Sequence, residues 1–171
     1  MSQLMINNLD QLIDALNQCS LEIYQYDEVF RAANIDLNEV ENFIKWDPEH
    51  YTRNIIEGNE DYELMVICWE PGHKSGIHNH GTQEGWMDII QGVIHEEMFD
   101  RASDDQEPHA TTESDLEVKQ VSYINDQIGM HRLSNTSDER AISLHLYVKP
   151  LDHFDIYNET TGEFSEFEID K

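Results

Sequence analysis

Gly72-His-Lys-Ser-Gly-Ile-His78-Asn-His80 follows an apolar run, Leu64-Met-Val-Ile-Cys-Trp69. Successive side chains on a β-strand point to opposite faces, so residues two apart share a face. His78 and His80 therefore project to one side, where a single metal ion can take both. His131, in Ile128-Gly-Met-His131-Arg-Leu-Ser-Asn135, is the third candidate ligand, on what reads as a return strand of a barrel. Three neutral imidazoles without a thiolate pair suit iron, copper, nickel or zinc better than calcium or magnesium. The competing reading is a chance H-x-H among nine histidines.

The surrounding chain has 171 residues, the size of one ordinary domain. Thirty-six acidic side chains against ten basic ones give a formal net charge of -26. That balance argues against a nucleic-acid surface, because phosphate neutralisation needs Lys and Arg. Solvated acidic faces, or adaptation to salt, both account for it. Cys19 and Cys68 form neither a disulfide framework nor a C-x-x-C pair. There is no basic start leading into a long apolar stretch, and no run long enough for a membrane span. The expectations are a reducing cytoplasm, a monomer, and no nucleic-acid or membrane partner.

Leu9, Leu12, Ile13 and Leu16 fall at helical spacing, with Asn7 or Asn8 as N-cap. A second helix is expected over Leu21–Ala33. A third starts at Asp36, with Glu39 completing a capping-box-like pair, and ends before Asp47-Pro48. From Tyr51 onward the texture changes to short runs rich in Ile, Val, Tyr and Thr between turn residues. Strands are expected near Tyr51–Glu57, Glu63–Trp69, Gly76–His80, Gly85–Ile90, Val93–Phe99, Leu116–Ile124, Gln127–Leu133 and Ala141–Val148. Weaker ones follow at Asp155–Tyr157 and Phe164–Ile169, and the acidic stretch Asp100–Glu113 reads as a surface loop. One domain over 1–171 results, with a cap of about three α-helices over 1–50. A mainly β jelly-roll barrel with a strand-like tail occupies 51–171.

The first histidine stretch resembles the first motif of cupin-type metal-binding barrels: Gly72, five residues, His78-Asn-His80, and a closing Gly92. Gly85 stands where the motif usually places a ligand Glu. Glu84 is one position off and on a strand would face away from both histidines, so a three-histidine site without a carboxylate is expected. A rearranged loop bringing Glu84 to the metal is the rival reading. His131 with Asn135 matches the ending of the second motif, although the usual upstream proline is missing. His50, His73, His95, His109 and His153 lack a partner at ligand spacing and read as loop or face residues. Ser143, His145 and Tyr147 alternate along Ala141–Val148 and share one face, opposite Ile142, Leu144 and Leu146. Such a polar stripe faces either solvent or the cavity.

Tyr51-Thr-Arg-Asn54, Cys68-Trp69, Gly76-Ile-His78-Asn-His80, Gly129-Met-His131-Arg-Leu-Ser-Asn135 and Ser143-Leu-His-Leu-Tyr147 occur in the order seen in cysteine dioxygenases. The resemblance covers roughly Asp47 to Asp155. It implies one mononuclear Fe(II) on His78, His80 and His131, with Arg53 binding the substrate carboxylate and Tyr51 supporting it. It further implies a hydrogen-bonded relay of Ser143, His145 and Tyr147. Animal members carry a Cys at the position of Gly85, crosslinked to the tyrosine matching Tyr147. Gly85 cannot form that bond, so this chain resembles the bacterial members. Relatives that oxidise 3-mercaptopropionate typically carry Gln at the position of Arg53.

The resemblance thus implies conversion of L-cysteine and dioxygen to cysteine sulfinic acid, with metal coordination deprotonating a thiol whose free pKa is about 8.5. Arg supplies a forked, permanently charged partner for an amino-acid carboxylate. The alternatives are oxidation of another small thiol, such as 3-mercaptopropionate or cysteamine, and a non-catalytic metal-binding module.

Overall fold

Leu9, Leu12 and Leu16 form one buried stripe of the first helix, α1 (Leu9–Leu16), and the Asn8 side chain caps it by accepting the Gln11 N–H at 2.9 Å. The computed structural model describes residues 5–20, 22–100, 107–150 and 153–168. Helix α2 spans Ile23–Ala32, and Leu21, the expected start, lies outside the described residues. The third helix is shorter than its sequence promised: α3 covers Leu37–Val40 and passes into a 3₁₀ turn at Glu41–Phe43. No side-chain capping bond forms at Asp36. Glu39 instead accepts the Leu9 N–H at 3.2 Å, tying α3 to the start of α1.

Eleven strands follow among the described residues: β1 (Thr52–Gly58), β2 (Tyr62–Trp69), β3 (Ile77–His78), β4 (Glu84–Gln91), β5 (Val93–Asp100), β6 (His109–Glu117), β7 (Val121–Ile124), β8 (Met130–Ser134), β9 (Ala141–Val148), β10 (His153–Asn158) and β11 (Glu163–Glu168). They build two antiparallel sheets, in the orders β1-β2-β9-β4-β7 and β11-β10-β3-β8-β5-β6. This is the expected jelly roll, with three corrections to the elements. The expected loop from Asp100 to Glu113 is strand from His109 onward; residues 101–106 lie outside the described set. Hydrophobic alternation could not reveal β6, because nearly all of it is exposed. What holds it is its backbone ladder to β5. The single strand expected over Leu116–Ile124 is two, β6 and β7, broken where Lys119 takes a left-handed φ of 68°. Strand β3 ends at His78, because the His80 N–H goes to the Asp126 carboxylate at 2.8 Å rather than to a neighbouring strand. The last expected strand is present as β11, with Ile169 outside the described residues.

Strand β9 lies at the centre of its sheet, between β2 and β4, and all eight of its residues are buried. Its outward side chains Ile142, Leu144 and Leu146 pack with Tyr62, Leu64 and Val66 of β2 under Leu12, Leu16 and Phe30 of the helices. The helical cap therefore covers one face of the sheet. Ser143, His145 and Tyr147 are turned into the barrel, which removes the solvent-facing reading of that stripe.

Asp88 is the misfit in this cap-facing layer. It is buried on β4, and its Oδ1 has no hydrogen-bond partner among the described residues. Burial pushes its carboxyl up to about 6, against weaker opposing effects from the Ile89 backbone N–H and Lys119. A carboxyl with a raised folded pKa binds its proton more tightly in the native state. Its stability penalty is therefore absent below the unfolded value and grows as pH rises through about 6. Asp88→Asn is expected to raise the melting temperature by about 3 °C at pH 8, consistent with roughly 1 kcal/mol in a domain of this size. The gain should vanish near pH 4; an equal gain at both pH values in calorimetry would refute the ionisation account.

Candidate active site

The β3–β8 ladder places His78 directly opposite His131, and the turn after β3 returns His80 beside them. Ring centroids lie 4.7 Å apart for His78–His131, 4.8 Å for His80–His131 and 5.2 Å for His78–His80. One donor nitrogen from each ring lies within 4.8 Å of the others. Nδ1 of His78 is bonded to the Gly76 carbonyl at 3.0 Å, and Nδ1 of His131 to Glu96 Oε1 at 2.8 Å. Each ring is thereby oriented with Nε2 left as the remaining donor. Burial, followed by the neighbouring His131 ring, pushes His78 down to about 3. The same two causes hold His80 well below the ordinary imidazole range. Neutral imidazole is the form that binds a metal, so the donor set suits a borderline transition ion such as Fe(II).

Glu84 points elsewhere. It accepts hydrogen bonds from Tyr123 Oη and from Asn125 Nδ2, the latter at 3.1 Å. Gly85 pairs with Tyr147 across β4 and β9, and a Cβ there would sit 3.3 Å from Tyr147 Cε1. Nothing at Gly85 ties the tyrosine ring.

Glu96 was not recognised as a site residue from the sequence. It is buried on β5, accepting from His131 through Oε1 and from the Ser122 hydroxyl through Oε2 at 2.7 Å. Burial alone would raise its carboxyl, but the His131 and Ser122 hydrogen bonds hold it below the usual value. The available signal was an acid at an inward position of β5, two residues after the core residue Ile94. Carboxylates bonded to a ligand imidazole fix its tautomer and typically contribute 10–100-fold to metal affinity. Glu96→Gln is expected to weaken metal binding by roughly that factor in a chelator competition; unchanged affinity would assign Glu96 to the fold alone.

Arg53 on β1 and Tyr51 just before it line a cavity of about 40 Å³ together with His78, His145 and Tyr147. The Arg53 side chain is 25% exposed, lines this cavity and forms an ion pair with Glu63 Oε1 at 3.9 Å. Tyr51 stacks on Trp69 at 4.6 Å between ring centroids. Trp69, also unrecognised in the sequence as a site residue, donates from Nε1 to Ser143 Oγ at 2.9 Å. Ser143 Oγ meets His145 Nε2 at 2.7 Å, and His145 Nδ1 lies 3.4 Å from Tyr147 Oη.

One proton arrangement satisfies this row. Ser143 accepts from Trp69 and donates to His145 Nε2. His145 Nδ1–H then faces Tyr147 Oη, and the phenol hydrogen is free for the cavity. Burial, with Arg53 adding to it, keeps His145 far below its ordinary pKa and so neutral. Burial, opposed by Arg53, pushes Tyr147 up to about 12, so its phenol stays protonated.

The remaining histidines stay out of this group. His95 sits on the outer face of β5, bonded to Asp115 at 2.7 Å. It lies near Glu97 and Glu113, but Glu97 is already paired in two-pronged fashion with Arg132. His50, His109 and His153 are exposed. His73 departs from the expectation only in being buried, where its Nδ1 accepts the Glu70 N–H at 3.0 Å. Asn135 is a strut: its amide donates to the Trp69 and Glu139 carbonyls at 3.1 and 2.7 Å.

Comparison with known proteins agrees with this geometry. The family described as Cysteine dioxygenase type I matches residues 2–160. Cysteine dioxygenase type 1 of Danio rerio is 33% identical over 174 residues, covering 90% of this chain and 81% of that protein. The Homo sapiens protein of that name is 35% identical over 163 residues, covering 90% and 80%. That of Rattus norvegicus is 39% identical over 123 residues, covering 70% and 62%. Among solved structures, a double-stranded β-helix protein from Klebsiella pneumoniae superposes with a TM-score of 0.54 at 13% identity, covering 76% of this chain and 95% of that one. Oxalate decarboxylase of Lactobacillus farciminis gives 0.52 at 18% identity, covering 77% and 35%. These last two speak for the fold alone. Family match and fold together make the chain an enzyme of the cupin thiol dioxygenase class. The chain belongs to the cysteine dioxygenase type I family.

Proposed function

We propose that the chain holds one Fe(II) through His78, His80 and His131 and converts L-cysteine and dioxygen to cysteine sulfinic acid, with both oxygen atoms ending on sulfur. The observation that carries this reading is a small cavity lined by Arg53, Tyr147 and His78, the last of which stands in the imidazole trio with His80 and His131. When bound, the ion would lower the thiol pKa and bring sulfur and dioxygen together. The chain's own groups supply the rest.

Arg53 binds the substrate carboxylate as a charged fork, and Tyr51, stacked on Trp69, walls the guanidinium side of the cavity. Fixing the carboxylate fixes where sulfur falls relative to the imidazoles, which is an orientation effect. Tyr147 offers its phenol hydrogen into the cavity, and His145, held by Ser143 and Trp69, keeps that hydroxyl in place. Glu96, bonded to Nδ1 of His131, steadies that ring. The proposed working unit is a monomer. The two cysteines are unpaired, consistent with a reducing cytoplasm. No helix among the described residues is long and apolar enough to cross a membrane.

The test is dioxygen uptake by the Fe(II)-loaded protein with L-cysteine and, in parallel, 3-mercaptopropionate, with the product identified by mass. Preferential uptake with cysteine and a product two oxygen atoms heavier is the expected result. A preference for 3-mercaptopropionate would overturn the substrate assignment, and no uptake with either would leave a binding module.

A further inference from the structure

Strand β10 reaches the cavity from outside the central ladders. It is joined to β3 through only two residue pairs, Ile156↔His78 and Tyr157↔Ile77. A second attachment is made by the residue between the two motif histidines. Asn79 donates from Nδ2 to Asp155 Oδ2 at 2.9 Å and accepts the Asp155 N–H at 2.8 Å, while its own N–H reaches the Asp155 carbonyl at 3.2 Å. This clamp sets Phe154 and Ile156, which share a strand face, against the substrate cavity. The buried Phe154 ring meets His78 edge-on at 5.6 Å and is backed by Phe167 of β11 at 5.3 Å. Ile156 approaches so closely that a Cβ on Gly76 would lie 2.7 Å from its Cγ2.

We propose that Phe154, seated by the Asn79–Asp155 clamp, is the residue that limits the bulk this cavity accepts around the carbon bearing the thiol. The inference rests on the reading of the cavity as a site for a small amino-acid thiol. Sulfur, amine and carboxylate of such a substrate have polar partners in the metal site and Arg53. The carbon between them has none and must face apolar wall. Ile67, Leu133 and Phe154 share one buried cluster on that wall, and Phe154 is the one whose ring stands edge-on to His78. The preferred class is therefore an unbranched short thiol, and branching at the thiol-bearing carbon is excluded by contact with the ring.

L-Penicillamine is the matching probe, because it keeps the carboxylate, amine and thiol of L-cysteine and adds two methyl groups at that carbon. A methylene-sized contact is worth about 10–200-fold in discrimination. Phe154→Ala is expected to lower the cysteine-to-penicillamine preference at least 10-fold, and Phe154→Leu by an intermediate factor. The preference is read twice: as the ratio of kcat/KM values, and as the ratio of dissociation constants for the Fe(II)-loaded protein without dioxygen. Should Phe154→Ala not fold, Phe154→Leu alone decides. A preference unchanged within 2-fold in a variant that still binds cysteine overturns the proposal. The binding ratio separates this failure from failure of the catalytic reading, since wild-type protein that binds cysteine selectively but consumes no dioxygen would overturn only the latter.

Discussion

Arg53→Gln is expected to lower kcat/KM for L-cysteine by about 100-fold, with iron content unchanged. A charge-assisted hydrogen bond contributes about 1.5–3 kcal/mol, and a forked pair adds geometric constraint to that energy. The cavity wall strengthens the effect, since Arg53 is three-quarters buried and flanked by Tyr51, His145 and Tyr147. Glutamine can donate one hydrogen bond to a carboxylate but brings no charge. It also leaves Glu63, a buried acid 3.9 Å from the guanidinium, facing an incoming anion without the intervening cation. Cysteamine, which has no carboxylate, provides the internal control: its rate should be nearly the same in both proteins. A cysteine rate within 3-fold of wild type would refute the assignment of Arg53 to the carboxylate.

His78→Ala is expected to reduce iron affinity by more than 100-fold, exceeding the loss typical of an outer partner, and to bring dioxygen uptake to background. His78 is the cleanest of the three positions to remove. His131→Ala would also leave the buried Glu96 carboxylate without its imidazole partner, adding a cost unrelated to the metal. His78 is only partly buried, and its Nδ1 partner is a backbone carbonyl. The β3 backbone pairs with β8 and β10 through main-chain groups, which the substitution retains. Full iron occupancy in His78→Ala, measured after desalting, would exclude this histidine as a ligand.

Local patterns made the imidazole pair and the β9 stripe legible. H-x-H needs only the two-residue period of extended backbone, and the same period put Ser143, His145 and Tyr147 on one side. That the stripe faces the cavity was not legible, because it depends on α1 and α2 covering the opposite face of β9. Glu96 was missed because its partner lies thirty-five residues away, across the β5–β8 ladder. Strand β6 was missed because an exposed polar edge strand has no hydrophobic alternation to read. Trp69 carried no assigned role from the sequence, because its hydrogen bond spans seventy-four residues to Ser143.

The sequence by itself determined the groups available: three histidines in ligand-like motifs, an arginine, a tyrosine on a polar stripe, and a glycine at position 85. Only the tertiary structure decided which of these meet. Side-chain alternation is encoded residue by residue, but register between strands distant in the chain follows from how whole sheets bury their faces. That register set His131 against His78, Gly85 against Tyr147 and Phe154 over the cavity.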